Sequence, residues 1–126
     1  MKTLVSYVAL TLFVLTSSFT IDVQQKANQH STVDCFNYFR AHRQGKAVSM
    51  TWSVANPDVT SFVIERSYDN FFWETAGSMN SNGNASYKFN DSSVFPGTIY
   101  YRITAVKTDG TSECSPIETV RIVQRN

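Results

Sequence analysis

The side chains most often used for catalysis are few in this chain and do not form a familiar catalytic pattern. The two histidines, His30 and His42, lie in a polar stretch and beside a turn, and neither is spaced with a serine or cysteine nucleophile. The 10 Asp and Glu residues are scattered, and strand spacing brings no two of them onto one face as an acid–base pair. No glycine-rich phosphate loop is present. We therefore expect no catalytic residues and no cofactor.

Metal-binding side chains are equally sparse. Cys35 and Cys114 are too few and too far apart in sequence for a zinc site. A surface Ca²⁺ site that uses Asp58 or Asp91 is an open alternative, because turns rich in Asp and Asn supply the oxygen ligands that Ca²⁺ prefers. Such turns often bind nothing, so we expect no metal.

The net charge argues against a further class of ligand. Lys plus Arg number 11 and Asp plus Glu number 10, which gives a formal charge of +1. A nearly neutral surface attracts neither phosphate backbones nor anionic lipid strongly. We therefore expect no nucleic-acid partner.

Residues 1–18 have the layout of an export signal. Lys2 supplies a positive start, residues 4–15 form an almost unbroken apolar run, and residues 16–18 are small and polar. This order is typical of a secretory signal peptide, cleaved after Ser18 or, as a second choice, after Thr20. The alternative is a membrane anchor, but the run has about twelve residues where a spanning helix needs about twenty. We expect a secreted, periplasmic or cell-surface protein with no stable membrane span after cleavage.

The rest of the chain alternates short apolar segments with turn signals. Residues 19–32 are polar and predict a flexible tail, followed by one domain over residues 33–126. Residues 47–54 place Val, Met and Trp on one face and Ser and Thr on the other, the period of a half-buried strand. Such segments recur about every ten residues and predict an all-β fold of about seven strands in two antiparallel sheets packed face to face. The predicted strands are 33–41, 47–54, 61–67, 72–79, 86–90, 99–107 and 117–124.

These strands carry sequence motifs in a familiar order. Residues 48–52 read VSMTW, residues 62–67 read FVIERS, residues 87–91 read YKFND, and residues 96–103 read PGTIYYRI. Together they resemble a fibronectin type III domain, in the variant found in secreted and cell-surface bacterial proteins. The resemblance implies an immunoglobulin-like β-sandwich that serves as a non-catalytic interaction module in the bacterial cell envelope or outside the cell.

The topology that this resemblance implies places the starts of the first and last strands at the same pole. Cys35 and Cys114 lie at those two starts, and an exported protein meets an oxidising compartment. We therefore expect a disulfide between them, closing a loop of about eighty residues and stabilising by at most roughly 4–4.5 kcal/mol. The alternative is two free, buried thiols.

The candidate binding surface follows from alternation along the strand 99–107. Counted back from Ala105, Tyr101 points inward, and Tyr100 and Arg102 point outward. An ion pair between Glu65 and Arg102 on neighbouring strands is expected there. Because aromatic residues and Arg anchor protein interfaces, we expect this surface to bind a protein partner. The surface consists of Tyr100, Arg102, Thr104 and Glu65, flanked by Tyr68 and Phe71.

Carbohydrate binding is the alternative function, because aromatic rings on a β-sandwich can lie flat against a sugar. A solvent-exposed, coplanar pair among Tyr68, Phe71, Phe72 and Trp73 would favour it. Burial of Phe72 and Trp73 would remove that platform, and the resemblance implies that Trp73 lies inside.

Overall fold

A computed structural model describes residues 35–124, which form eight β-strands and no helix. The predicted signal peptide, residues 1–18, and the predicted tail, residues 19–32, lie outside this part. Within it, there is no helix with the length and hydrophobicity needed to cross a membrane. The strands are β1 (Phe36–Gln44), β2 (Ala47–Val54), β3 (Val59–Ser67), β4 (Glu74–Asn80), β5 (Tyr87–Asp91), β6 (Gly97–Lys107), β7 (Ser112–Cys114) and β8 (Glu118–Ile122).

The strands form two antiparallel sheets. The smaller sheet has the order β1-β2-β5, and the larger has the order β4-β3-β6-β7, with β8 also paired to β6. Every strand pair is antiparallel, so the short connections lie at the two ends of the sheets. The predicted all-β sandwich is confirmed.

The core lies between the sheets and centres on Trp52 of β2. Its ring meets Phe62 of β3 edge-on at 5.4 Å and stacks on Tyr87 of β5 at 5.9 Å. The inward side chains predicted for residues 47–54 are all buried, as are those of β6. Burying one such side chain stabilises the fold by about 1.5–3 kcal/mol, and these contacts hold the two sheets together. The fully buried large side chains are Trp52, Tyr101, Phe62, Met50, Ile64, Ile99, Ile103 and Val48.

The eighth strand, β7, was not predicted from the sequence. It has three residues and no apolar alternation, and it shares the edge of β6 with β8. Between β7 and β8, the hydroxyl of Ser115 accepts a hydrogen bond from the Ile103 amide at 2.9 Å and donates to the Pro116 carbonyl at 2.9 Å. This serine satisfies the amide of β6 at the point where its partner strand changes.

The predicted disulfide is wrong in this structure: Cys35 is a buried free thiol and Cys114 an exposed one. Cys35 does lie beside β7, since its amide donates to Glu113 Oε1 at 3.3 Å. Neighbouring residues of a strand point to opposite faces, however, and the Cys114 Sγ lies on the other side, 3.4 Å from the Thr104 hydroxyl. The topology brings the right strand to Cys35 but turns the wrong residue towards it.

Candidate functional site

The two ends of the sandwich differ in the residues that they expose. One end is formed by the β1–β2 turn at residues 45–46, the loops 68–73 and 92–96, and residues 123–124 after β8. We call this end the aromatic pole. The opposite end, the polar pole, is formed by the loops 55–58, 81–86 and 108–111, which contain no aromatic residue.

Four aromatic side chains are exposed at the aromatic pole. Phe71 is 84% exposed, Phe72 83%, Phe95 71% and Tyr68 37%. The rings of Tyr68 and Phe95 lie 5.9 Å apart at an angle of 53°, and the Phe95 amide donates to the Tyr68 hydroxyl at 3.2 Å. We refer to these four residues as the aromatic cluster. Soluble proteins rarely expose large contiguous apolar patches, and clustered exposed aromatic rings are typical of an interaction site.

The loop 68–73 owes its shape to Asp69. One carboxylate oxygen accepts the amides of Phe71 at 2.8 Å and Phe72 at 2.9 Å, while the Ser67 hydroxyl accepts the Asn70 amide at 2.9 Å. Asn70 has a positive φ of 63°, which asparagine tolerates. Hydrogen bonds, first from the Phe71 amide, lower the pKa of Asp69. The two Phe side chains are therefore carried by a backbone turn that does not depend on packing of their rings.

Beneath the loop 92–96 lies a buried network around Asp91, which is 4% exposed. Arg66 Nη1 donates to both Asp91 oxygens at 2.8 and 2.9 Å and to the Ser93 carbonyl at 3.0 Å. Arg66 Nε donates to Glu74 at 2.6 Å, and the Tyr101 hydroxyl donates to Asp91 at 3.0 Å. Burial and the charge of Asp91 raise the pKa of Tyr101. The network ties β3, β4, β5 and β6 together directly under the aromatic cluster.

The same network bears on the predicted Ca²⁺ alternative. Both carboxylate oxygens of Asp91 already accept hydrogen bonds from protein donors. Over residues 35–124 there is no group of three or more side chains of the types that hold metal ions. The arrangement of Asp91 is that of a structural ion pair rather than a metal ligand.

The predicted ion pair on the outer face of the larger sheet is present. Arg102 Nε donates to Glu65 Oε2 at 2.9 Å, and the Thr104 hydroxyl donates to the same oxygen at 2.7 Å. Although burial raises the pKa of Glu65, the hydrogen bonds from Arg102 and Thr104 lower it overall. The Arg102 guanidinium also lies over the Trp73 ring, 4.1 Å from its centroid. The charged centre of the predicted surface is thus occupied by contacts within the protein.

The other predicted residues divide between two places. Tyr100 is half-buried and lies between Ser67 and Thr119 in the sheet, whereas Tyr68 and Phe71 belong to the aromatic cluster. Sequence reasoning missed Phe95 as a surface residue. The signal was present, because Phe95 precedes Pro96 in a turn and a turn offers it no inward face.

The aromatic cluster meets the criterion for a sugar platform only in part. Phe72 is exposed rather than buried, and Trp73 is half-buried under Arg102. The exposed Tyr68 and Phe95 rings are tilted by 53°, so they do not form a flat surface.

No protein-family model and no curated protein matches the chain in sequence. The pectate lyase PelI from Erwinia chrysanthemi, solved with tetragalacturonic acid, is similar in structure at a TM-score of 0.56 and 14% identity, over 64% of this chain and 27% of the lyase. A family 76 glycoside hydrolase from a bovine Bacteroides thetaiotaomicron strain gives 0.56 and 13%, over 68% and 20%. A myokine gives 0.54 and 12%, over 71% and 97%.

These similarities concern the fold alone, because the identities are all 16% or lower. The chain spans 26–27% of the length of the pectate lyases that it resembles. It matches 97% of the myokine chain, so a domain of this shape also makes up nearly the whole of one solved chain.

Proposed function

We propose that the protein is an exported, non-catalytic interaction module that binds another protein through its aromatic pole. The observation that carries this proposal is the exposure of Phe71, Phe72 and Phe95, each at 71–84%, on turns held by hydrogen bonds. The motifs that resemble a fibronectin type III domain support the same conclusion, as does the export layout of residues 1–18.

The energetics of the pole favour binding. Burying one Phe side chain against a partner is worth about 1.5–3 kcal/mol, so a few rings can anchor an interface. Binding also costs free energy when loops become ordered. The Asp69 turn and the Arg66–Asp91 pair already order the loops 68–73 and 92–96, which lowers that cost.

The binding residues predicted from the sequence have different roles in this proposal. Tyr68 and Phe71 are anchors. Arg102 and Glu65 support them from below, because Arg102 stacks on Trp73 at the base of the loop 68–73. Tyr100 lies beside Ser67, where that loop begins, and forms the rim.

Photocrosslinking in cells tests the proposal. A benzoylphenylalanine side chain at position 72 is expected to capture a discrete partner. The same side chain at position 82, in the polar pole, serves as the control and is expected to capture none. Crosslinks of equal yield at both positions, or at neither, would contradict the proposal.

The partner identified in this way then allows a quantitative test. Phe71→Ala with Phe72→Ala is expected to weaken its binding at least about 30-fold, which is the threshold of an interface hot spot. The matched control is Asn82→Ala with Asn84→Ala in the polar pole, which should leave the affinity unchanged. Both double variants should keep the wild-type fold, because the altered side chains are exposed, and Asn82→Ala removes only one hydrogen bond within its loop, from the Asn84 amide.

Carbohydrate binding is the second candidate function, and the same exposed Phe rings favour it. A glycan array and a titration with tetragalacturonic acid distinguish the two candidates. Saturable sugar binding that is lost in the Phe71→Ala, Phe72→Ala variant would put carbohydrate first. A blank array together with a crosslinked protein at position 72 supports the protein-binding proposal.

A further inference from the structure

A second cleft, with a volume of about 490 Å³, lies on the other side of the loop 92–96 from the aromatic cluster. We call it the cationic groove. One wall is the end of β1 and the β1–β2 turn, which contribute Arg43 and Lys46, and the other wall is mostly apolar. The described residues that line the groove are Arg43, Gly45, Lys46, Val94, Pro96, Ile122, Val123 and Gln124.

No carboxylate within the described part of the chain pairs with the two cations of this groove. Arg43 and Lys46 are both exposed. Arg43 is held in place because its Nε donates to the Gly45 carbonyl at 2.9 Å, which leaves its two terminal nitrogens available. The groove thus offers a guanidinium held by one hydrogen bond and an exposed ammonium.

The acidic residues of the aromatic pole are already engaged. Asp69 accepts backbone amides of its own turn, and Glu74 and Asp91 are both paired with Arg66. No acidic residue is among the described residues that line the groove, so the charges within it are positive, which favours a negatively charged ligand.

The number of charges narrows the class of ligand. Recognition of anionic membranes uses clusters of about four to eight Lys or Arg residues, and binding to nucleic acid typically uses several phosphate contacts. Two cations fit one or two carboxylates. The apolar wall of Val94, Pro96 and Val123 fits an aliphatic side chain, and the groove volume accommodates only a short segment.

We propose that the cationic groove receives an acidic peptide segment of the protein partner. A carboxylate of the segment pairs with Arg43 and Lys46, and a neighbouring aliphatic side chain packs on Val94 and Val123. This inference rests on the proposed function and names the chemistry of its partner. The loop 92–96 connects the two sites, since Val94 and Pro96 line the groove while Phe95 lines a shallow cleft together with Tyr68 and Phe72 of the aromatic cluster. One extended segment can therefore contact both.

Fluorescence polarisation with the purified protein, in the form that remains after cleavage of the predicted signal peptide, tests the inference. The probe is a labelled peptide in which Asp alternates with Leu, and the matched probe has Asn in place of Asp. The Asp peptide is expected to bind at least tenfold more tightly, with an affinity that falls as salt screens the ion pairs. Equal affinity for the two peptides, or no binding of the Asp peptide, would overturn the inference.

Charge-matched variants locate the binding. Arg43→Ala with Lys46→Ala is expected to weaken the Asp peptide at least tenfold. The control is Arg40→Ala with Lys88→Ala, which removes the same charge from the outer face of the smaller sheet, where both residues align with Thr51. Val123→Asp places a negative charge at an exposed position of the groove. It should also weaken binding of the Asp peptide, because the two negative charges repel each other. Equal losses in the two double variants would overturn the groove as the site.

Two further probes exclude other anionic ligands. Vesicles that contain anionic phospholipid, or tetragalacturonic acid, would overturn the inference if either bound through Arg43 and Lys46 in preference to the Asp peptide. The outcome is separable from that of the proposed function. If Phe71→Ala with Phe72→Ala abolishes partner binding while the Arg43→Ala, Lys46→Ala variant binds normally, the proposed function stands and this inference fails.

Discussion

At each pole of the sandwich, a tyrosine hydroxyl makes hydrogen bonds that stabilise the loops, but its partners at the two poles differ in chemistry. At the aromatic pole, Tyr101 donates to the buried carboxylate of Asp91, which is also paired with Arg66. At the polar pole, the Tyr87 hydroxyl accepts the Asn82 amide at 3.3 Å and shares a hydrogen bond of 3.0 Å with Ser81. The tyrosine at the aromatic pole thus bonds to a charged group, whereas the tyrosine at the polar pole bonds to neutral groups.

The difference follows from what each pole exposes. The loops of the polar pole consist of Asn, Ser, Gly, Asp, Thr, Ala and Pro residues. Because water solvates most of these residues well, weak neutral hydrogen bonds are enough to hold the loops. The aromatic pole holds phenylalanine rings in water, where they tend to collapse onto the nearest apolar surface. A strong ion pair under the loops 68–73 and 92–96 opposes that collapse by fixing the backbone. The pole that exposes aromatic rings is thus also the pole whose loops are fixed by a buried ion pair.

The largest loss of stability is expected when the Arg66–Asp91 ion pair is broken. Asp91→Ala removes the buried partner of Arg66, whose side chain is only 15% exposed, and the acceptor of the Tyr101 hydroxyl, and should lower the free energy of unfolding by about 3–5 kcal/mol. Urea denaturation measures it. The control is Asp58→Ala, an exposed carboxylate at the polar pole, which should change stability by less than about 0.5 kcal/mol. A loss of under about 1 kcal/mol for Asp91→Ala would break the comparison between the poles.

The two tyrosines give the next largest effect. Tyr101→Phe removes a hydrogen bond to a charged group and should cost about 1.5–3 kcal/mol, whereas Tyr87→Phe removes neutral bonds and should cost about 0.5–1.5 kcal/mol. Both substitutions keep the ring, so packing is unchanged. Denaturation of the two variants in parallel makes the measurement. Equal losses in the free energy of unfolding would mean that the two tyrosine hydroxyls stabilise their poles to the same extent.

The ion pair on the outer face of the larger sheet, between the two poles, should contribute less to stability than the contacts at either pole. In a double-mutant cycle, Glu65→Ala and Arg102→Ala should show a coupling of about 0.2–1 kcal/mol, because the pair lies on neighbouring strands at a partly exposed site. Thr104 still donates to Glu65 when Arg102 is removed, which keeps the coupling small. Strict additivity would show that the pair contributes nothing.

The smallest effect is local and depends on pH. The pKa of Asp69 is lowered in the folded protein, so its turn is stabilised above the pKa of the unfolded chain, about 3.9, and loses that stabilisation as pH falls through the folded pKa. The protection of the Phe71 and Phe72 amides from exchange, measured against their intrinsic exchange rates at each pH, should therefore fall in acid. Asp69→Asn keeps an accepting oxygen and should abolish this pH dependence.

Asp109 provides the matching test at the polar pole. Its carboxylate accepts the Thr111 hydroxyl and amide, and these bonds, led by the hydroxyl, lower its pKa in the same way. Asp109→Ala should loosen the loop 108–111 without changing partner binding, whereas Asp69→Ala should weaken binding. If both variants bind normally, the order of the loop 68–73 does not matter for function.

Much of the fold could be predicted from period-two alternation. The strand 47–54 has the predicted bounds, and Val48, Met50 and Trp52 are buried as expected. Tyr101 also points inward, as counted from Ala105. The alternation fails where register depends on a neighbour. A one-residue difference in β7 turns Glu113 towards Cys35 and Cys114 away from it, and no local pattern specifies that choice.

The candidate site was predicted less completely. The pair Glu65–Arg102 could be inferred because both strands alternate and lie side by side. The Arg66–Asp91 pair joins two sheets, and the cationic groove joins the turn at residues 45–46 to the end of β8. Such contacts depend on how the sheets pack, which residue spacing along a single chain does not encode.

The stacking of Arg102 on Trp73 has an optical consequence. The chain has two tryptophans, Trp52 at the centre of the core and Trp73 half-buried at the base of the loop 68–73. Iodide in solution should quench the emission of Trp73 and spare Trp52. One sample therefore contains two independent reporters, with Trp52 emission following unfolding and Trp73 emission following events at the aromatic pole. A bound ligand should shield Trp73 from iodide without any added label.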